Sequence, residues 1–170
     1  MTHQEINPQN SSDIVWTPNL NTTTQMDTFR EFINQRFQTA LLHYEDLYDW
    51  SVTNTKDFWS AVWIQNEIIS DNNYKTVVDN TNKMPGATWF EGATLNFAQH
   101  LLRYNDDQTA IIFKGQHLPK KELTYKSLNE QVRRAQYHLK SLGVKKGDRV
   151  AGIVANMPET IVMMLATTSL

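Results

Sequence analysis

Asn156 and Glu159 stand three residues apart, just after the apolar run Val150-Ala151-Gly152-Ile153-Val154, and form the polar pair best placed to meet a ligand. Open α/β sheets bind at the carboxyl ends of their strands, and this spacing puts an amide and a carboxylate there. The same spacing also builds a helix start. Asn156 can accept from the first free amides, Pro158 suits the first turn, and Glu159 favours the positive end of the helix dipole. That structural use is the first reading, and direct ligand contact is the alternative. Gly143 and Gly147 read as a helix stop and a tight turn, since neither G-x-G-x-x-G nor G-x-x-x-x-G-K-[ST] occurs to cradle phosphates. Asp148 beside Arg149 is expected to order that turn. His3, His43, His100, His117 and His138 lack metal-ligand spacing, and H-E-x-x-H is absent. Ser127, Ser141 and Ser169 have no G-x-S-x-G setting, and Asp106-Asp107 reads as a solvated turn. No nucleophile, base and oxyanion site come together, so no catalytic, cofactor-binding or metal-ligating residue is assigned.

The elements around these residues form an opening βαβα unit. Thr109-Ala110-Ile111-Ile112-Phe113 is a β-branched run, and Gly115 and Pro119 bracket a turn from which Glu122-Leu123-Thr124 pairs back. The helix that follows, capped by Thr124 and stopped at Gly143, carries Leu128, Val132, Ala135, Leu139 and Leu142 on one stripe. Roughly 18 residues give about 27 Å, enough to return the chain for a parallel strand at Val150–Val154 through a right-handed crossover. Another helix should start near Pro158. A sheet of usual size is not complete by Leu170, which is the expectation for the front end of a larger α/β enzyme.

Upstream, residues 1–23 read as a flexible, polar arm with Trp16 and Pro18 as its anchors. From the cap Thr24, with Asp27 at N3, the residues Met26, Phe29, Ile33, Phe37 and Leu41 recur at helical steps. A second helix is expected after Asn54 as cap, with Phe58, Trp59, Val62, Trp63, Ile68 and Ile69 as its apolar positions. Residues 44–52 between the two read as a short helical turn and connector. Residues 70–88 read as a loop in which Val77-Val78 can dock, and Asn96 or Thr94 can start the next helix. The five tryptophans are expected to be buried between the helical lead-in and the α/β body, an aromatic binding platform being the alternative. The division is therefore 1–23 arm, 24–104 helical region and 105–170 the start of an α/β domain.

With 40% hydrophobic residues the 170-residue chain can build a core. Its 16 basic and 18 acidic residues give a formal charge of -2 without a basic stripe, so nucleic acid is not an expected partner. There is no cysteine, which removes disulfides and thiol chemistry and is compatible with a reducing cytoplasm. No leader and no membrane-length apolar run is read from the sequence, and the expectation is a cytoplasmic protein without a membrane partner.

The stretch Leu123-Thr124-Tyr125, the helix ending Leu142-Gly143-Val144-Lys145-Lys146-Gly147-Asp148-Arg149-Val150-Ala151, and Asn156-Met157-Pro158-Glu159 with Met164-Leu165-Ala166 resemble the start of the acyl-adenylate-forming, or AMP-binding, superfamily. Tyr48-Asp49-Trp50-Ser51-Val52, Asp57-Phe58-Trp59 and the run from Met84-Pro85-Gly86 to Leu95-Asn96-Phe97-Ala98 resemble acetyl-CoA-synthetase-type enzymes, and among them most closely the acetoacetyl-CoA synthetases. The likeness runs from about Trp16 to the end; His100 departs from it, Asn being the expected residue. The resemblance implies an acid–thiol ligase of lipid and fatty acid metabolism. Acetoacetate and ATP would form acetoacetyl-adenylate and pyrophosphate, and coenzyme A would then take the acyl group and release AMP. It implies ATP, Mg2+ and coenzyme A for the complete enzyme, none of them bound by these residues. The family's phosphate loop, nucleotide motifs and catalytic lysine come later than Leu170, so no site residue is carried over. The chain alone is expected to be inactive. The alternatives are a non-catalytic interaction module that complements a C-terminal ligase fragment, and the same part of an acetate or propionate ligase.

Overall fold

The computed structural model describes residues 22–170, so Trp16, Pro18 and nearly all of the expected arm lie outside the described residues. Two compact units are present, one ending at Ala61 and one running from Val62 to Leu170.

In the first unit, α1 (Gln25–Phe37) opens on a reciprocal cap. The Asp27 amide donates to the Thr24 hydroxyl at 3.2 Å, and the Thr24 amide donates to the Asp27 carboxylate at 2.9 Å. Two orphan donors are thereby satisfied, a cap worth ~1 kcal/mol. The helix stops at Phe37 instead of continuing to Leu41. Gln38 turns left-handed at φ 54, and the Asn34 carboxamide oxygen accepts from the Thr39 hydroxyl and the Leu41 amide, each at 2.8 Å. This side chain offers the turning backbone a partner that competes with the helical ladder. Residues 44–52, expected as a connector, belong to a ten-residue helix, α2 (Tyr44–Thr53). The Asp46 carboxylate stabilises its start by accepting from the amides of Leu42 and His43 at 2.9 Å. Helix α3 (Thr55–Gln65) follows after one residue, and the division between the units falls inside it. Asn54 is therefore the C-cap of α2, its carboxamide donating to the Trp50 carbonyl, and not the side-chain cap expected for α3. Ile33, Leu47 and Ala61 are buried, with Phe29, Phe37 and Trp50 packed on them.

The second unit begins with an aromatic cluster in which Phe90 lies 4.5 Å from Trp63 and 5.2 Å from Tyr74, ring centre to ring centre. Such pairs add ~0.5–1.5 kcal/mol beyond the area they bury. Residues 75–79 run antiparallel to 88–91 through the Phe90 amide to the Val77 carbonyl at 2.7 Å and the Lys75 amide to the Glu91 carbonyl at 2.8 Å. Val78 docks opposite Trp89 as a single bridge. The Asp79 carboxylate holds the intervening turn, accepting from Lys83 Nζ and the Thr88 amide at 2.9 Å and from the Asn80 amide at 2.7 Å. Asn96 caps the short α4 (Phe97–Leu101).

Strands β1 (Thr109–Phe113) and β2 (Lys121–Thr124) pair antiparallel, with Ile111 opposite Leu123 and Phe113 opposite Lys121. Helix α5 (Tyr125–Ser141) leaves β2 without a loop, because the Thr124 hydroxyl accepts from the Ser127 amide at 3.1 Å. Its stripe buries Leu128, Val132 and Leu139, whereas Leu142 occupies the cap and is exposed. Gly143, at φ +86, closes the helix. Its amide reaches the Lys140 carbonyl at 3.0 Å and the Val144 amide reaches the Leu139 carbonyl at 3.1 Å, the pattern of a Schellman stop. Helix α6 (Pro158–Thr168) then lays Val162, Leu165 and Ala166 on the α5 stripe, with Ala98 of α4 in the same core.

The α/β class and the helical lead-in stand as expected, but two particulars do not. Val150–Val154 is extended without being a strand: the sheet among the described residues contains only β1 and β2, so the expected parallel pair and its crossover are not formed. A strand exists only by hydrogen bonds to a neighbour, and none of the described strands lies alongside to supply them. The tryptophans also depart from expectation. Among the four described, Trp50 packs on Phe37 and Trp63 on Phe90 while half-buried, and Trp59 and Trp89 remain 40% and 42% exposed. A ring of this size is rarely sealed on every side.

Leu165→Ala, at a site only 2% exposed, is expected to lower the unfolding free energy by about 2–5 kcal/mol in urea denaturation. Tyr137→Ala, on the open face of α5, should change it by less than about 0.5 kcal/mol. The Asp79 carboxyl is depressed from 3.8 to about 2, first by the Lys83 hydrogen bond and then by the Thr88 amide. A depressed carboxylate stabilises the fold above its unfolded value and loses that contribution as pH falls through its folded one. The melting-temperature gap between the parent and Asp79→Asn should therefore be widest above pH 3.8 and close as pH approaches 2, followed by circular dichroism.

Candidate functional site

The residues that the sequence marks for chemistry fall between the end of α5 and the start of α6. The turn Lys145–Arg149 is held as expected, with Asp148 Oδ2 accepting from the Lys145 amide at 2.9 Å. The Asp148 amide returns to the Lys145 carbonyl at 3.1 Å, and Arg149 Nη1 donates to the Gly147 carbonyl at 3.2 Å. Gly147 adopts φ +96 in that turn and, like Gly143, shapes backbone; neither approaches a phosphate cradle.

Asn156 does not cap α6. Pro158 occupies the first helical turn, and a residue before proline is driven to extended geometry, so Met157 at φ -147 and ψ 165 becomes the N-cap and has no side-chain bond to give. Asn156 lies one residue too early and is exposed. The helix start is tied instead by the Thr160 hydroxyl, which donates to the Ala155 carbonyl at 2.6 Å. Glu159 sits exposed in the first turn, where the helix dipole favours it. An open hollow of about 250 Å³ lies between β1 and this end of α6, with Lys114 and Asn156 among its lining. A larger groove of about 410 Å³ runs along Val150–Val154 and the outer face of α6, lined by Met163, Met164 and Thr167. Its signal in the sequence is the unbroken apolar run Ile161–Ala166 of α6, more than one buried face requires.

Several of the remaining candidates are engaged by local structure, and His3 lies outside the described residues. The Ser127 hydroxyl accepts from Gln131, the Ser141 hydroxyl donates to the His138 carbonyl, and Ser169 bonds both Gln136 and the Ala166 carbonyl. Asp106 Oδ1 accepts from the Gln108 amide. His43 is the N-cap residue of α2, and His100 lies on α4 with a buried Nδ1 that has no hydrogen-bond partner. Among the described residues no three His, Asp or Glu groups are grouped to hold a metal ion. The carboxyls that are shifted are held low by neighbours: Asp27 by the Thr24 hydroxyl, Asp46 by the His43 amide and Glu122 by Lys120. Each is fixed as a structural anion, the opposite of a group poised to exchange protons near neutrality. No described helix is long and apolar enough to cross a membrane.

Residues 44–101 match the family model of the acetyl-coenzyme A synthetase N-terminus, and residues 97–170 match that of AMP-binding enzymes. The chain is 40% identical over 144 residues to an acetoacetyl-coenzyme A synthetase of Rhizobium meliloti (strain 1021), covering 85% of this chain and 22% of that protein. It is 36% identical over 170 residues to a malonamoyl-CoA synthetase of Penicillium aethiopicum, covering 96% of this chain and 24% of the other. Among solved structures it is similar to acetoacetyl-CoA synthetase from Streptomyces lividans, with a TM-score of 0.75 and 34% identity across 83% of this chain and 22% of that one. The chain thus spans 22–24% of the length of these relatives.

Proposed function

We propose, on the premise that residues 44–170 carry the opening elements of an acetyl-CoA-synthetase-type AMP-binding enzyme, that this chain is the scaffold segment of an ATP-dependent acetoacetate–CoA ligase. The observation that carries the reading is the joint likeness in sequence and in structure to an acetoacetyl-CoA synthetase over 83% of the chain. In the reaction an acetoacetate carboxylate oxygen attacks the α-phosphorus of ATP and pyrophosphate leaves. The thiol of coenzyme A then attacks the acyl carbonyl, and AMP leaves. In this reading residues 24–104 form the helical lead-in, and residues 105–170 supply the first elements of the domain that would handle nucleotide.

Magnesium would stabilise charge on the phosphates in such a step. The described residues do not fit that role. Asp27, Asp46 and Asp79 are each engaged by neighbouring donors, and no glycine-rich loop with a lysine occurs in the chain. No catalytic step is therefore routed through this chain, whose work is to hold a sheet edge and two helices in register. The reading includes a cytoplasmic setting and a partner, namely the remainder of the ligase.

The names of two relatives support the choice of acyl group. Acetoacetyl and malonamoyl groups both carry a carbonyl on the carbon beyond the methylene, and they differ only in a methyl against an amino group. This favours a short acid with that carbonyl over plain acetate or propionate, with malonamate as the second substrate to try.

Isolated residues 1–170 should release no pyrophosphate in the presence of acetoacetate, ATP and coenzyme A. A chimera in which residues 24–170 replace the matched segment of the Rhizobium meliloti protein should retain acetoacetate-dependent release within about tenfold, a barrier change of ~1.4 kcal/mol. Turnover by the isolated chain, or a folded chimera that is inactive, would contradict the proposal.

A further inference from the structure

The first unit leaves an aromatic hollow open to one side. Met26 of α1, Tyr44 and Tyr48 of α2 and Phe58 of α3 line it together with Phe29 and the buried Leu47, and its volume is about 270 Å³. All of these residues fall on one side of the division at Ala61. Phe29 and Phe58 meet edge to face at 6.0 Å, which fixes the wall behind the opening. Tyr44 and Tyr48 stand one helical turn apart and so share a face of α2, where they stay 59% and 55% exposed, with Met26 at 48%. Two aromatic rings and a thioether held open side by side, with no charged residue in the lining, form a surface made for another apolar side chain.

We infer that the occupant is this chain's own Trp16-Thr17-Pro18, with the indole laid against the rings of Tyr44 and Tyr48. The inference stands apart from the proposed function, since it concerns only the first unit. Four features of the sequence carry it. Trp16 is the one Phe, Trp or Tyr ahead of Phe29, so it is the large apolar ring that the segment before α1 has to place. It lies ten residues before Met26, a stretch that spans up to about 33–36 Å, and Asn19 and Asn21 supply turn residues for the return. Pro18 drives Thr17 to extended geometry, and extended segments bearing proline dock in aromatic-lined grooves, where tyrosine hydroxyls can donate to their carbonyls. Residues 14–26 carry no charge, matching the uncharged lining. The hollow is smaller than the roughly 300–1,000 Å³ of pockets that enclose a small molecule, yet it suits a single ring. A tethered segment also meets the hollow at an effective concentration on the order of millimolar, which gives it the advantage over a free partner.

The test is fluorine NMR on residues 1–170 labelled with fluorotryptophan, in which Trp16→Phe identifies the Trp16 signal. On moving from light to heavy water that signal should shift about half as far in the folded chain as in urea, because a ring laid on an aromatic wall keeps only one of its two faces wet. Tyr48→Asp and Tyr44→Ala, both at exposed positions and checked for intact helices by circular dichroism, should each restore the full shift. Tyr137→Lys, on the exposed face of α5 in the second unit, should leave it halved. Dilution should also leave it halved, since a contact within one chain does not depend on concentration. The inference is overturned if Trp16 shows the full shift in the parent, if both tyrosine variants keep the shift halved, or if dilution restores it, which would put the ring on a second copy of the chain.

Discussion

The apolar seam between α5 and α6 is the contact on which the second unit depends. Leu128, Val132 and Leu139 meet Val162, Leu165 and Ala166, and each such side chain contributes ~1.5–3 kcal/mol on leaving water. Burial of this kind has no direction and needs no neighbouring strand, so two helices and a hairpin can seat themselves around it. Ladder hydrogen bonds are directional and contribute only ~0.5–1.5 kcal/mol net each, and they require a partner at one fixed spacing. Val150–Val154 therefore runs between two well-anchored ends, the Gly143 stop and the Pro158 start, without becoming a strand.

The same imbalance bears on function. The polar groups near the carboxyl edge are consumed in shaping backbone: Asp148 closes a turn, Thr160 ties a helix start, and Gly143 and Gly147 permit left-handed bends. Apart from the exposed Asn156 and Glu159, what remains open there is apolar surface and an unpaired backbone edge, features that recruit structure. The proposed scaffold role accounts for both facts with one cause.

Much of this was legible in the sequence wherever a local pattern decides the outcome. The Thr24–Asp27 box, the Thr124 cap, the Asn96 cap and the Gly143 stop each depend on two or three neighbouring residues, and all four form as the patterns imply. The β1–β2 hairpin was equally plain. The departures have non-local or competing causes. A proline at 158 moved the cap from Asn156 to Met157, the Asn34 side chain ended α1 before Leu41, and Asp46 turned a presumed connector into α2. Val150–Val154 is an apolar run with three β-branched residues, but whether it forms a strand depends on a neighbour that no window of its own sequence can reveal. The outward methionines of α6 stayed hidden because an apolar helix reads the same whichever face is covered.

The account's central claim is that the core between α5 and α6 holds on its own while the edge beside it stays unpaired. Amide hydrogen exchange on isolated residues 1–170, read by NMR or by peptide mass, addresses it directly. Amides of Leu128–Leu139 should be protected to nearly the global unfolding limit, whereas those of Val150–Val154 exchange almost as fast as in an unstructured peptide. Equal protection of the two segments would mean that the edge is already paired, and the account would be wrong.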